Sequence, residues 1–523
     1  MTEESQTPDG SPTLPGPAAG AATAPGGAGR MGNIATAAIG FLAPLCFNVG
    51  YYLRADQKRN FIAGMDLVVV VLCLLALTRW RRIPALIRAT PWTAWALILF
   101  APAAYILTGV VGTHSTHDLW EFKIEFLKKW LGNYLEYLLL APVLVALVID
   151  GRKDRLAWLM RGMILAGLLA AATGCADFWN ATINLDVDVR GLYDNRNLLG
   201  GVMALLVPMA AAVVLLDRCK WTQAAAALLM IFGLWCQTTA GALLGIVGGV
   251  FAVAAFAWTL RARLHRCPFK IAALGAIVIG TIGLSNLLSP RAKSSDSYTP
   301  AQIKADYRGY SLQPRSQLDA ALESIAPWKY EDRTDAMSPK TRLSDRARRW
   351  QAQINLIRKE PFGCGTGLYQ KDIGDFYGGP YSKPTERGDI EKDWGAESDE
   401  PGSFGMYEVV ASEMGLWGLA ICFAFVIAAL ARAAGRVMQA DLPPPGALSS
   451  QPQGQATSHG APAAALQLPF EVYAGLYAFA GLTGAALFGI FHDAFASRGP
   501  SGVVAVALGL TLAVSAAKPG PRA

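Results

Sequence analysis

Long apolar runs broken by short polar interruptions dominate the chain, and their lengths set the fold. A membrane-crossing helix needs roughly 20 mostly apolar residues. The pattern predicts twelve such helices, over 33–53, 61–78, 91–112, 131–149, 156–176, 198–216, 222–239, 241–259, 270–288, 405–431, 470–491 and 500–517. The expected fold is therefore an all-α integral membrane protein. The short Thr238–Gly241 junction predicts a tight hairpin of the seventh and eighth helices. No apolar run occurs in 289–404, and no repeat of 20–50 residues is visible.

Charge in the short loops orients the bundle, because lysine and arginine concentrate on the cytoplasmic side. One side receives fifteen: Arg79, Arg81, Arg82, Arg88, Arg152, Lys153, Arg155, Arg218, Lys220, Arg261, Arg263, Arg266, Lys270, Arg432 and Arg436. The other receives nine, including Lys123, Lys128, Lys129, Arg190, Arg196 and Arg498. Both termini are then expected in the cytoplasm, with 289–404 as one large outer loop. The expected organisation is a disordered tail over 1–32, helices over 33–288, the outer loop 289–404, a helix at 405–431, a low-complexity linker at 432–469, two helices within 470–517 and a tail at 518–523. The first apolar run begins only after Arg30, so no cleavable signal peptide is expected.

Composition agrees with the pattern: 53% of the 523 residues are hydrophobic and 16% charged, against about a quarter charged in soluble domains. The formal charge of +7 lies largely in short loops, so it sets topology and carries no nucleic-acid signal. Cys46, Cys73, Cys175, Cys236 and Cys422 fall in apolar runs, Cys219 and Cys267 in basic loops, and Cys364 in the long loop. That is no disulfide framework, and no zinc spacing occurs. His114 and His117 lack a third ligand nearby, so no metal site and no cofactor are expected.

Candidate chemistry gathers on the outer side. "VRGLYDNRNLLGG" places Arg190, Asp194, Asn195, Arg196 and Asn197 directly before the sixth helix. Any single arginine there is explained by snorkelling to headgroups. Two arginines with amide side chains at a helix N-terminus form an anion site suited to phosphate. In the long loop, Ser344 caps a predicted helix with Ala347, Trp350, Ile354 and Ile357 on one stripe, ended by Pro361 and followed by Gly363, Gly365 and Gly367. "WEFKIEFLKKWLGNY" is amphipathic, with Trp120, Phe122, Phe126 and Trp130 as interfacial anchors.

These residues resemble the bacterial O-antigen ligase and polymerase superfamily. Its members carry an arginine, a glycine and an Asn-Pro-Asn before a transmembrane helix, matched by Arg190, Gly191 and Asn195-Arg196-Asn197 with Arg196 in the proline's place. An Arg/Trp helix running into Pro-x-Gly-x-Gly-x-Gly is matched by Arg349, Trp350, Pro361, Gly363, Gly365 and Gly367, followed by Tyr369. The helix after the large loop, "MYEVVASEMGLWGLA", aligns Tyr407, Glu413, Gly415 and Gly418. Two family residues are absent: Ala240 stands where an arginine is usual, and Phe404 and Gly405 stand where a His-Asn pair is usual.

The resemblance implies a fold like that of membrane glycosyltransferases acting on lipid-linked sugars. The implied reaction transfers a glycan from an undecaprenyl-pyrophosphate donor to an acceptor hydroxyl at the periplasmic face of the bacterial inner membrane, without metal or nucleotide. The acceptor is lipid A–core, a second lipid-linked glycan or, ranked lower, a protein side chain. The implied catalytic set is Arg190 and Arg349 as pyrophosphate clamps, with Glu408 and His492 as base candidates beside Asp399 and Glu400. Asn195, Arg196, Asn197, Arg346 and Tyr369 bind substrate, with Arg342 and Arg358 as further clamps. Implied partners are the lipid-linked glycan and membrane lipids, and no nucleic acid. Two other classes stay open, a multi-span polysaccharide transporter or flippase and a non-catalytic assembly component. Transporters place ionisable residues at mid-membrane and show repeats. Here Arg161 and Glu136 are the main charges within the helices, each nearer an end.

Overall fold

A computed structural model describes residues 27–48, 61–63, 65–67, 69–70, 73, 79–111, 128–183, 189, 191–193, 196–237, 239–262, 264, 266–288, 353–365, 405–440, 468–490, 492 and 499–516. The architecture is a helical bundle. Its helices are α1 Gly27–Leu42, α2 Ile83–Ala89, α3 Trp92–Val111, α4 Ala141–Ile149 (continuing a π-helical stretch, Lys128–Leu140), α5 Lys153–Ile183, α6 Arg196–Leu216, α7 Lys220–Trp235, α8 Ala240–Thr259, α9 Cys267–Leu288, α10 Met406–Gln439, α11 Phe470–Phe488 and α12 Pro500–Ala516. Among the described residues, six helices are long and apolar enough to cross a membrane, or seven if the bent pair around α2 and α3 counts as one.

Three expectations change in detail. α1 starts at Gly27, inside the stretch expected to be tail. It also ends at Leu42, where Pro44 cannot continue the hydrogen-bonding ladder, and Cys46–Asn48 instead pairs antiparallel with Phe61–Ala63. The predicted hairpin of the seventh and eighth helices is replaced by a different packing, in which α7 and α8 both lie along α6 rather than along each other.

Burial identifies the centre. In α6, 94% of the apolar window is buried, against 22% in α9, so α6 is core and α9 peripheral. α6 packs on α7, α8 and α11; α11 packs on α8, α10 and α12; α12 packs on α4. α1 lies along α5, and α3 along α10. Bundles in lipid gain little from apolar burial between helices and rely on close backbone approach. Gly200 shows this: a Cβ there would meet the Cβ of Ala242 and the Oγ1 of Thr239 at 2.8 Å each. The neighbouring Gly201 faces Pro500 and Phe488. These contacts bring the first turns of α6, α8 and α12 to one end of the bundle.

Candidate active site

At that end, the segment ahead of α6 is held at several points. Val189 is buried, the Gly191 N–H donates to Asp177 Oδ2 on α5 at 2.7 Å, and the Tyr193 hydroxyl donates to the Pro44 carbonyl at 2.9 Å. Arg190 itself, with Asp194, Asn195, Arg342, Arg346, Arg349, Tyr369, Asp399, Glu400 and Phe404, lies outside the described residues. His114 and His117 do so as well. Arg196 and Asn197 are the first two residues of α6, half-buried, at the positive pole of a largely buried helix.

α10 begins at the same end, and its start is a docking point for two loops. The Met406 N–H donates to the Gly489 carbonyl at 2.7 Å and to that of His492 at 3.3 Å, which seats the turn after α11 on the tip of α10. A Cβ at Gly405 would lie 2.4 Å from the Ile490 carbonyl oxygen, so the backbone of that turn fills the space a side chain would use. The His492 ring, 8% exposed, stacks on Phe488 at 4.8 Å. Phe488 also faces Gly201, which links His492 to the first turns of α6. Half-buried Glu408 accepts the Gly405 N–H at 3.3 Å through Oε2, satisfying a free donor of the helix N-terminus, and is hydrogen-bonded by the Gln353 side chain.

The second loop enters at a break in α10. Gly415 has φ 75° and ψ −176° inside the helix, a conformation that is strained for any residue with a Cβ. The break frees backbone groups, and the Pro361–Gly365 segment takes them up. Cys364 and Gly365 N–H donate to the carbonyls of Ser412 and Glu413 at 2.9 and 3.0 Å, and Leu416 N–H donates to the Pro361 carbonyl at 3.0 Å. The approach is so close that a Cβ on Gly363 would sit 2.3 Å from the Glu413 carbonyl oxygen. Two separate glycine-bearing motifs of the sequence are thus halves of one joint. Residues 353–359 are helical, and this helix stops before Pro361 as expected. Its inward face differs from the predicted stripe: Gln353 and Leu356 are buried, whereas Ile354 is 43% exposed. Gln353 turns inward because it meets Glu408, a contact that spacing alone cannot reveal.

The described members of the candidate set therefore share one end of the bundle. Arg196 and Asn197 open α6, Glu408 lies in the first turn of α10, and His492 lies under its tip. Four helix N-termini, of α6, α8, α10 and α12, face this end, and each contributes partial positive charge. The arrangement favours an anion. Thr239, Gln353 and Phe488 also belong to this end, and neither composition nor spacing marked them.

Residues 225–423 match the profile of a protein family described as O-antigen ligase. Over that stretch the chain is similar to the O-antigen ligases. The match runs from α7 through the break in α10, so the joint between Pro361–Gly365 and Gly415 lies inside it, as do the departures at Ala240 and Phe404. The apolar helices and this match together fit a multi-pass membrane protein. Curated proteins give no match.

Proposed function

We propose that the chain transfers a glycan from an undecaprenyl-pyrophosphate donor to an acceptor hydroxyl at the periplasmic face of the bacterial inner membrane. The observation that carries this is the convergence of four helix N-termini, Arg196, Asn197, Glu408 and His492 at one end of a bundle whose 225–423 stretch matches the O-antigen ligases. In this reading the chain crosses twelve times with both termini cytoplasmic, and 289–404 is a periplasmic loop lying over the site.

The chemistry assigns roles. The acceptor oxygen bonds to the sugar C1, the C1–O bond to the lipid pyrophosphate breaks, and the leaving pyrophosphate keeps the electron pair. Arg190, with Asn195 and Asn197, holds that pyrophosphate at the mouth of α6, where the helix N-termini stabilise the growing negative charge. Arg196, Arg346 and Arg349 add guanidinium forks, which stay charged and bind phosphate bidentately. Tyr369 lines the glycan path. Glu408 takes the acceptor proton, and His492, below the place where the family histidine is absent, is the second proton-handling group. Lipid A–core and a second lipid-linked glycan both satisfy this chemistry as acceptor.

The test is reconstitution of the purified protein in liposomes with lipid-linked glycan and core lipid. Release of undecaprenyl pyrophosphate with growth of the core lipid marks a ligase, and lengthening of the lipid-linked glycan marks a polymerase. Arg190→Ala should abolish either product at unchanged protein level. Full output from that variant would remove Arg190 from the machinery.

A further inference from the structure

Cys175, on the last third of α5, and Cys236, capping the C-terminus of α7, lie where these two helices pack together. The backbones are close as well: a Cβ on the adjacent Gly174 would lie 3.2 Å from both Cβ and Sγ of Cys236. Cys236 is 1% exposed, while Cys175 is half-buried and reachable. Each thiol has a carbonyl within 3.6 Å, Phe232 for Cys175 and Gly233 for Cys236, so both side chains point into the same α5–α7 seam.

We propose that Cys175 and Cys236 form a disulfide that pins α5 to the end of α7. Formation is a two-step exchange. The Cys175 thiolate attacks the disulfide of a thiol–disulfide oxidoreductase, giving a mixed disulfide, and Cys236 then displaces it. One S–S bond is made in the protein and one is broken in the oxidoreductase, which leaves as a dithiol carrying the two thiol protons, so no net proton is released. Such oxidants act outside the cytoplasm, so the proposal rests on this end of the bundle facing outward. It does not depend on the transfer reaction.

The position gives the bond a purpose. Two residues beyond Cys175, Asp177 holds the Gly191 N–H; directly after Cys236 comes the Gln237–Thr239 turn into α8. The cross-link ties together the two backbone segments that flank the start of α6, next to Ala240, where relatives carry an arginine.

The experiment uses the full chain, alkylated in intact cells without reductant, then digested and analysed by mass spectrometry. A linked Cys175–Cys236 peptide supports the proposal; recovery of both thiols alkylated, even after oxidised glutathione, overturns it. Cys219, at the opposite end of α7, reports orientation separately. It should resist a membrane-impermeant maleimide in intact cells and react after lysis, so a wrong orientation is told apart from an absent bond. Reductant should lower Tm by about 5 °C in the parent and leave Cys175→Ser unchanged. An equal reductant effect on both proteins counts against the bond.

Discussion

The two ends of the bundle use positive charge in opposite ways. At the end away from the candidate site, cations meet helix C-termini. Arg79 donates to the Leu147 carbonyl at 2.8 Å, Arg155 to Val148 at 2.7 Å, Lys270 to Leu215 at 2.7 Å and Arg436 to Ser515 at 2.9 Å. Asp150, just past α4, pairs with Arg79 at 3.1 Å, with Arg82, and with Arg155 at 3.9 Å. Each cation there completes a helix end that lacks donors for its last carbonyls. At the other end, Arg196 opens α6, where the helix already supplies positive charge. A cation at a C-terminus complements the helix dipole, whereas a cation at an N-terminus opposes it.

The largest effect should come from the chemistry at the second end. Glu408→Gln keeps a cap for the Gly405 N–H and removes only the charge, so folding should be unaffected. Loss of a general base costs typically 10²–10⁴-fold in rate, and release of lipid pyrophosphate in liposomes should fall by about that factor. His492→Gln should fall less, roughly 10-fold. A Glu408→Gln protein with full turnover would return Glu408 to a purely capping role.

Next comes the joint that builds this end. Gly415→Ala adds a Cβ at φ 75° where the Pro361 carbonyl oxygen would be 2.4 Å away. Strain plus undocking of the Pro361–Gly365 loop should cost about 3 kcal/mol, seen as a lower melting point and as new protease cleavage near Phe362. Gly275→Ala, on α9 with nothing within 4 Å, is the matched control and should change neither. At the opposite end, Asp150→Asn leaves Arg155, 7% exposed in its side chain, without its carboxylate. The expected loss is about 2 kcal/mol, below the full cost of breaking a buried pair because Arg79 and Arg82 remain partly solvated. No change in transfer rate per folded molecule should accompany it.

How far the sequence reaches differs between these regions for a physical reason. Apolar run length is a local property, so the helices from α3 to α12 fall close to where the pattern places them. The grouping of Arg79, Arg82 and Arg155 on one side also follows from loop charge. Three features escape such reading because each depends on residues far apart in the chain. Gly363 and Gly415 are individually ordinary, and only their contact explains both. Gln353 is unremarkable until Glu408 faces it. The α7–α8 junction is short enough for a hairpin, yet the small residues at Gly200 and Ala242 draw α8 onto α6 instead. Arg190 is read from charge gathered before a helix N-terminus and Arg349 only from motif resemblance, and both lie outside the described residues.

The smallest effect discriminates most sharply between the two ends. Arg436→Ala removes a donor from the α12 carbonyls and should lower stability by about 1 kcal/mol. Arg196→Ala removes a cation from a helix N-terminus. On the dipole argument it should leave the anion-free protein unchanged or more stable by about 0.5 kcal/mol, a rise of roughly 1–2 °C in Tm. Added pyrophosphate should then stabilise the parent more than Arg196→Ala. If Arg196→Ala instead melts earlier than Arg436→Ala, Arg196 is another structural cation, and the difference between the ends is one of degree. If it melts later and loses the pyrophosphate effect, the guanidinium is kept at an unfavourable place for the sake of a ligand.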